Sequence, residues 1–188
     1  MSFLQGLHGA VALALLIGLL FAEEAGVPLP FAPGELTLLV GGLLIVSGGL
    51  NPYVFIPLAL VACIAGSLVG YSWARVVGDG GLRALAKRLR QLRNLERVEG
   101  RILSSGWLGV AITRLIPGLR IYTTLVAGAV RVPRRSFILA MVSSTLVWVG
   151  VYITLGILVG VPVERFLAHT RIYQSGDFRL TDPRTGRN

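Results

Sequence analysis

The chain has 188 residues, 54% of them hydrophobic and only 14% charged, with a mean hydropathy of +0.73. Average globular chains carry about a quarter charged residues, and residues 1–22, 36–74 and 136–163 here hold no Asp, Glu, Lys or Arg at all, which excludes a soluble protein. The net charge of +9 sits mostly beside the apolar runs, so it reads as a topology signal rather than as a nucleic-acid surface, and the single Cys63 offers neither a disulfide nor a paired-cysteine metal site.

Residues 4–21 form an apolar run close to the roughly 20 residues needed to cross about 30 Å of hydrocarbon. They read as a first span rather than a cleaved signal peptide, because no Lys or Arg precedes them. The next run, 36–74, is too long for one helix and divides at Asn51-Pro52. Its first part is too short to cross and follows a segment carrying Pro28, Pro30 and Pro33, which cannot continue a helix. Irregular backbone at membrane depth must be shielded by protein or line a wet cavity, so residues 23–50 are expected to form a re-entrant hairpin with its tip at Pro33-Gly34. Residues 53–75 are the second span.

Residues 80–104 form a connector in which Leu82, Leu85, Leu89, Leu92, Leu95, Val98 and Ile102 recur at helical spacing opposite Arg83, Lys87, Arg90, Arg97 and Arg101. With seven basic and two acidic residues between Leu82 and Leu103, it is expected to be one amphipathic helix lying on an anionic cytoplasmic leaflet. No aromatic residues interleave its charges, which argues against a nucleic-acid partner. Residues 107–130 repeat the interrupted pattern, broken at Pro117-Gly118 into two legs of about 15 to 18 Å each, half the bilayer thickness. Residues 136–160 are the last span, with Trp148 near its middle and therefore packed against protein. Residues 164–188 are a polar basic tail.

A Pro-Gly-interrupted hairpin followed by a span thus occurs twice within residues 1–163, and the two spans carry matching small-residue pairs, Gly66 with Gly70 and Gly156 with Gly160. Small residues four apart let helices approach closely. The expected fold is an all-α integral membrane protein, an inverted repeat of re-entrant hairpin plus transmembrane helix, with a functional site between the two hairpins. The positive-inside rule places the connector and the amino terminus inside, so the hairpins enter from opposite faces and the basic tail falls outside.

The charges out of place are Glu23, Glu24 and Glu35 around the first hairpin and Arg114 and Arg120 in the second. An intramembrane charge costs a few kcal/mol and by default marks a site or pathway. Two guanidiniums flanking one tip can clamp a phosphate by charge-assisted hydrogen bonds. A carboxylate partly withdrawn from water takes up a proton more readily, as a proton-coupled site requires. The bland reading is a buried Glu-Arg pairing that only holds the hairpins together. Glu23 and Glu24 close a span, where at least one of them is expected to be a solvated interface charge.

Glu23, Pro28, Pro30 and Pro33-Gly34-Glu35, followed by Arg114-Leu115-Ile116-Pro117-Gly118-Leu119-Arg120 and Ala127-Gly128, resemble the DedA family of bacterial membrane proteins, also called SNARE-associated or VTT-domain proteins. The resemblance covers roughly residues 20–160. It implies an inner-membrane, multi-pass transporter that flips or scrambles a lipid phosphate such as undecaprenyl phosphate, with proton coupling. Arg114 and Arg120 match the family's two arginines, and Glu23 and Glu35 match its two acidic positions twelve residues apart. Partners implied are membrane lipids, polyprenyl phosphate or phospholipid, with protons as the coupling ion and a homo-oligomer allowed; no metal, cofactor or nucleic acid is expected. Family members usually carry a further hydrophobic segment after the last span, where this chain has its polar tail. The alternatives are a non-transporting protein that supports envelope integrity and a membrane lipid phosphatase. The phosphatase is disfavoured because the only histidines, His8 and His169, lie in the first span and the tail.

Overall fold

The computed structural model describes the backbone of residues 2–27, 34–88, 90 and 92–176, and side chains within 9–27, 34–88, 90, 92–102 and 104–162. Every regular element among them is a helix: α1 (Ser2–Glu24), α2 (Gly34–Val46), α3 (Pro52–Arg88), α4 (Leu92–Arg114), α5 (Arg120–Ala129) and α6 (Arg134–Gly176). The all-helical expectation is met, and α3 and α6 are long and apolar enough to cross a membrane. Their outward faces agree with that length. Tyr53, Val61 and Val76 on α3 and Leu139 and Leu158 on α6 are largely exposed, a surface matched to hydrocarbon rather than to water. By contrast α2 is 13 residues and α5 is 10 residues long, about 20 Å and about 15 Å at 1.5 Å per residue, short of the hydrocarbon thickness.

Glycines set the helix crossings. A Cβ on Gly66 would lie 2.5 Å from the Phe21 carbonyl oxygen, and one on Gly70 2.8 Å from that of Glu24, so α1 lies directly on α3. A Cβ on Gly42 would lie 2.5 Å from the Ile153 carbonyl oxygen and one on Gly160 3.2 Å from Val46, so α2 lies on α6. Both glycine pairs read from the sequence are thus used for close approach. A Cβ on Gly128 would meet the Tyr71 carbonyl, which brings α5 onto α3. Each short helix therefore rests against a long one.

Two apolar clusters result. One gathers Tyr71, Val98, Val110, Val126, Phe137 and Met141; the other gathers Leu20, Leu38, Phe55, Cys63, Trp148 and Ile153. Helices α3 and α6 run through both. Between Cys63 and Tyr71 on α3 comes Ser67, and between Met141 and Trp148 on α6 come Ser144 and Thr145, all three buried. A polar layer is thereby enclosed midway along the molecule. Trp148 is 3% exposed, packed against protein as its mid-span position suggests.

The connector corrects the expectation of one continuous helix. Gly78 and Gly106 break α3 and α4, and the segment between them is two helical pieces joined near Arg90, whose φ is 57°. Leu82, Leu95, Val98 and Ile102 are buried in the first cluster, while Leu85 is exposed. Arg83 ties the pieces together, bonding Asp79 at 2.8 Å and Glu99 at 2.5 Å. The hydrophobic period runs on across the turn, and Arg90 adopts the left-handed conformation without a glycine to announce it. The tip residue Pro33 and the histidine side chains lie outside the described residues, as does the tail from residue 177; of the tail before it only the backbone, still helical, is described.

Candidate functional site

The end of α1 is fixed first. Val27 N–H bonds the Ala22 carbonyl at 3.1 Å and Gly26 N–H the Glu23 carbonyl at 2.9 Å, a paired termination around Gly26 at φ 100°. Trp73 Nε1 of α3 then donates to the Ala25 carbonyl at 2.7 Å. These bonds, with the Gly66 and Gly70 crossing, fix the rotation of α1. Glu24 consequently points into the polar layer, and Glu23 points toward α2.

The second pair of positions comes from the α4–α5 turn. The chain tightens there through Leu115 N–H to Ile112, Ile116 N–H to Thr113 and Leu119 N–H to Ile116, with Pro117 lacking a donor and Gly118 at φ 74°. This reversal puts Arg114 at the last position of α4 and Arg120 at the first of α5. A cation is favoured at a helix C-terminus and disfavoured at an N-terminus, so Arg120 in particular calls for an anion beside it.

That anion is Glu24. Its Oε2 accepts from Arg114 Nη2 at 3.1 Å and from Ser67 Oγ, and its Oε1 is ion-paired with Arg120 Nε. The three charged groups are 3%, 0% and 4% exposed for Glu24, Arg114 and Arg120, so the triad is desolvated. Every nitrogen of Arg114 is bonded: Nε donates to Ser144 at 3.2 Å, Nη1 to Thr124, and Nη2 to Ser67 at 3.0 Å as well as to Glu24. Arg120 differs. Its Nη2 donates to Thr145 at 3.0 Å and its guanidinium stacks 3.8 Å from the Trp148 ring centroid, but Nη1 and Nε, the latter ion-paired with Glu24, are both buried without a hydrogen-bond acceptor. In a low-dielectric interior an unmet charged donor is costly, and such an atom marks a place where a ligand or water belongs.

Of the residues singled out from sequence, Arg114 and Arg120 are brought together. Glu23 accepts a hydrogen bond from the Gly34 backbone and lies within electrostatic reach of Arg120 and Glu35. Glu35 is half-buried in the first turn of α2, near Tyr152. Neither is the acid that bonds the arginines; Glu24 is, where spacing favoured Glu23 and a solvated role was open to either. Gly34 is enclosed, since a Cβ there would meet Glu23 and lie 2.9 Å from Trp148, whereas Gly118 faces open space. Sequence reasoning also passed over Ser67, Thr124, Ser144 and Thr145. Hydroxyls in the middle of otherwise apolar spans were the available signal.

The comparisons with known proteins follow this geometry. A family model described as the VTT domain matches residues 32–158, which include both short helices and both arginines. An uncharacterized membrane protein of Synechocystis sp. is 34% identical over 155 residues, covering 79% of this chain and 68% of that one. Protein DedA of Escherichia coli K12 is 27% identical over 155 residues, covering 81% of this chain and 71% of its own. No solved structure matches. With a family model spanning most of its length and a relative of this identity, the chain belongs to the DedA family of VTT-domain membrane proteins.

Proposed function

We propose that the protein moves a lipid phosphate, such as undecaprenyl phosphate, across the bacterial inner membrane, as a multi-pass flippase or scramblase without enzymatic chemistry. The observation that carries this reading is the buried arginine pair in which two Arg120 nitrogens, Nε and Nη1, lack a hydrogen-bond acceptor. In this reading α2 and the α4–α5 turn are re-entrant elements of an inverted repeat, entering from opposite faces with the connector on the cytoplasmic side. Support comes from their lengths and from their reciprocal packing, α2 on α6 and α5 on α3. The headgroup phosphate is held by Arg114 and Arg120 while the lipid tails stay in the bilayer. Glu23 and Glu35, neighbouring acids within electrostatic reach of each other, are the proton-coupling groups of this reading.

Reconstitution tests it. Transbilayer movement of a labelled polyprenyl phosphate is measured for wild type, Glu35→Gln, Arg114→Ala and Arg120→Ala at equal folded yield. The reading expects slowed movement in all three variants, and equal rates in all four proteins refute it. A second reading, a non-transporting protein supporting envelope integrity, draws on the saturation of Arg114, whose bonds to Glu24, Ser67, Thr124 and Ser144 join α1, α3, α5 and α6. It expects charge substitutions to disturb folding before any rate.

A further inference from the structure

We infer that Glu24 is an internal competitor for the arginine pair, an anion that the headgroup must replace, and that it thereby favours phosphomonoesters over phosphodiesters. The inference rests on the headgroup reading of Arg114 and Arg120. Two donors bond the Glu24 carboxylate, Arg114 Nη2 and Ser67 Oγ, and Arg120 Nε is ion-paired with it, while Arg120 Nε and Nη1 have no hydrogen-bond acceptor. As placed, the two carboxylate oxygens leave both of these Arg120 nitrogens without a hydrogen bond. A phosphomonoester brings three terminal oxygens and close to two negative charges. A phosphodiester has two free oxygens and one charge, no more than the carboxylate already there. Only the monoester gains by the exchange. Glu23, held at the Gly34 backbone within reach of Arg120, and Glu35 beside it are the other charges facing the site. Neither bonds a guanidinium, so displacing the bound anion means displacing Glu24 alone. Such a swap is a side-chain movement at the last residue of α1, whose backbone is held by Trp73 at the Ala25 carbonyl.

The test uses the full chain in lipid nanodiscs and reads its thermal unfolding midpoint against ligand, since a bound ligand stabilises the folded state by mass action. Polyprenyl phosphate and phosphatidylglycerol are titrated in the disc and inorganic phosphate in the buffer, for wild type, Glu24→Gln, Glu24→Asp and Arg120→Ala. Wild type is expected to respond to polyprenyl phosphate and not to phosphatidylglycerol. Glu24→Gln should start from a lower midpoint, be half-saturated by polyprenyl phosphate at least tenfold lower than wild type, and respond to phosphatidylglycerol as well. Glu24→Asp keeps the charge and withdraws the carboxylate by one methylene, so it covers the case in which the Gln variant does not fold, and it should shift half-saturation several-fold in the same direction. A response to inorganic phosphate alone would assign the site to a soluble anion, and one to polyprenyl phosphate assigns it to a lipid. If Arg120→Ala abolishes a wild-type response that Glu24→Gln and Glu24→Asp leave unchanged or weaken, the competitor role is wrong and the headgroup site stands. If Arg120→Ala responds like wild type, the headgroup reading falls and takes the inference with it.

Discussion

Replacing each arginine by methionine, which keeps the length and removes the charge, separates the fully bonded arginine from the open one. Arg114→Met removes the bonds to Ser144, Thr124, Ser67 and Glu24 at a fully buried position. Breaking one side of a buried ion pair costs about 3 to 5 kcal/mol, and every Arg114 guanidinium nitrogen is bonded, so the whole of that range is expected. Arg120→Met removes one ion pair, the Thr145 bond and the stacking on Trp148. It also removes the stranded Nη1 donor, whose burial costs the wild type about 1 to 3 kcal/mol. The net loss for Arg120→Met is therefore about 2 kcal/mol. Equilibrium unfolding of the purified protein in mixed micelles, followed by helical circular dichroism, measures both. Equal losses, or a larger loss at Arg120, would refute the assignment of Arg114 as the saturated member and Arg120 as the open one.

Four further substitutions probe how the site is held, each by the same unfolding measurement. Gly156→Val should lose about 1 to 3 kcal/mol by overpacking against the Leu39 carbonyl and Gly42. Gly150→Ala, on the same helix with open space around it, should gain about 0.5 to 1 kcal/mol, and a loss there would contradict its exposure. Gly118→Ala meets no neighbour yet sits at φ 74°, so a loss of about 1 to 2 kcal/mol is expected from the backbone alone; an unchanged midpoint would show that the turn tolerates another conformation. Arg131 follows the cap of α5 at φ 58°, with Val132 N–H bonded to the Ala127 carbonyl, and Arg131→Gly should stabilise by about 0.5 to 1 kcal/mol, with destabilisation as the contrary result.

Much of the fold is legible in the residues because each feature is local. Absence of charge over a bilayer's length marks the long helices, and Asn51-Pro52 and Pro117-Gly118 mark where the chain must stop being helical. The glycine pairs announce close crossings, although which helix each pair meets is not written beside it. The connector shows the opposite case. Its hydrophobic period continues through the break near Arg90, since a helical repeat constrains which face is apolar and not whether the backbone reverses.

By itself the sequence determined that the protein is a helical membrane protein of the DedA family, that two of its helices are too short to cross, and that two arginines flank a broken segment. Only the tertiary structure decided which acid answers them. Glu23 and Glu24 are adjacent, and successive residues on a helix point about 100° apart, so one of them faces the arginines and the other does not. The choice belongs to the rotation of α1 about its axis. That rotation is set by Gly66 and Gly70 on α3 and by the bond from Trp73 to the Ala25 carbonyl, contacts between residues more than forty positions apart along the chain.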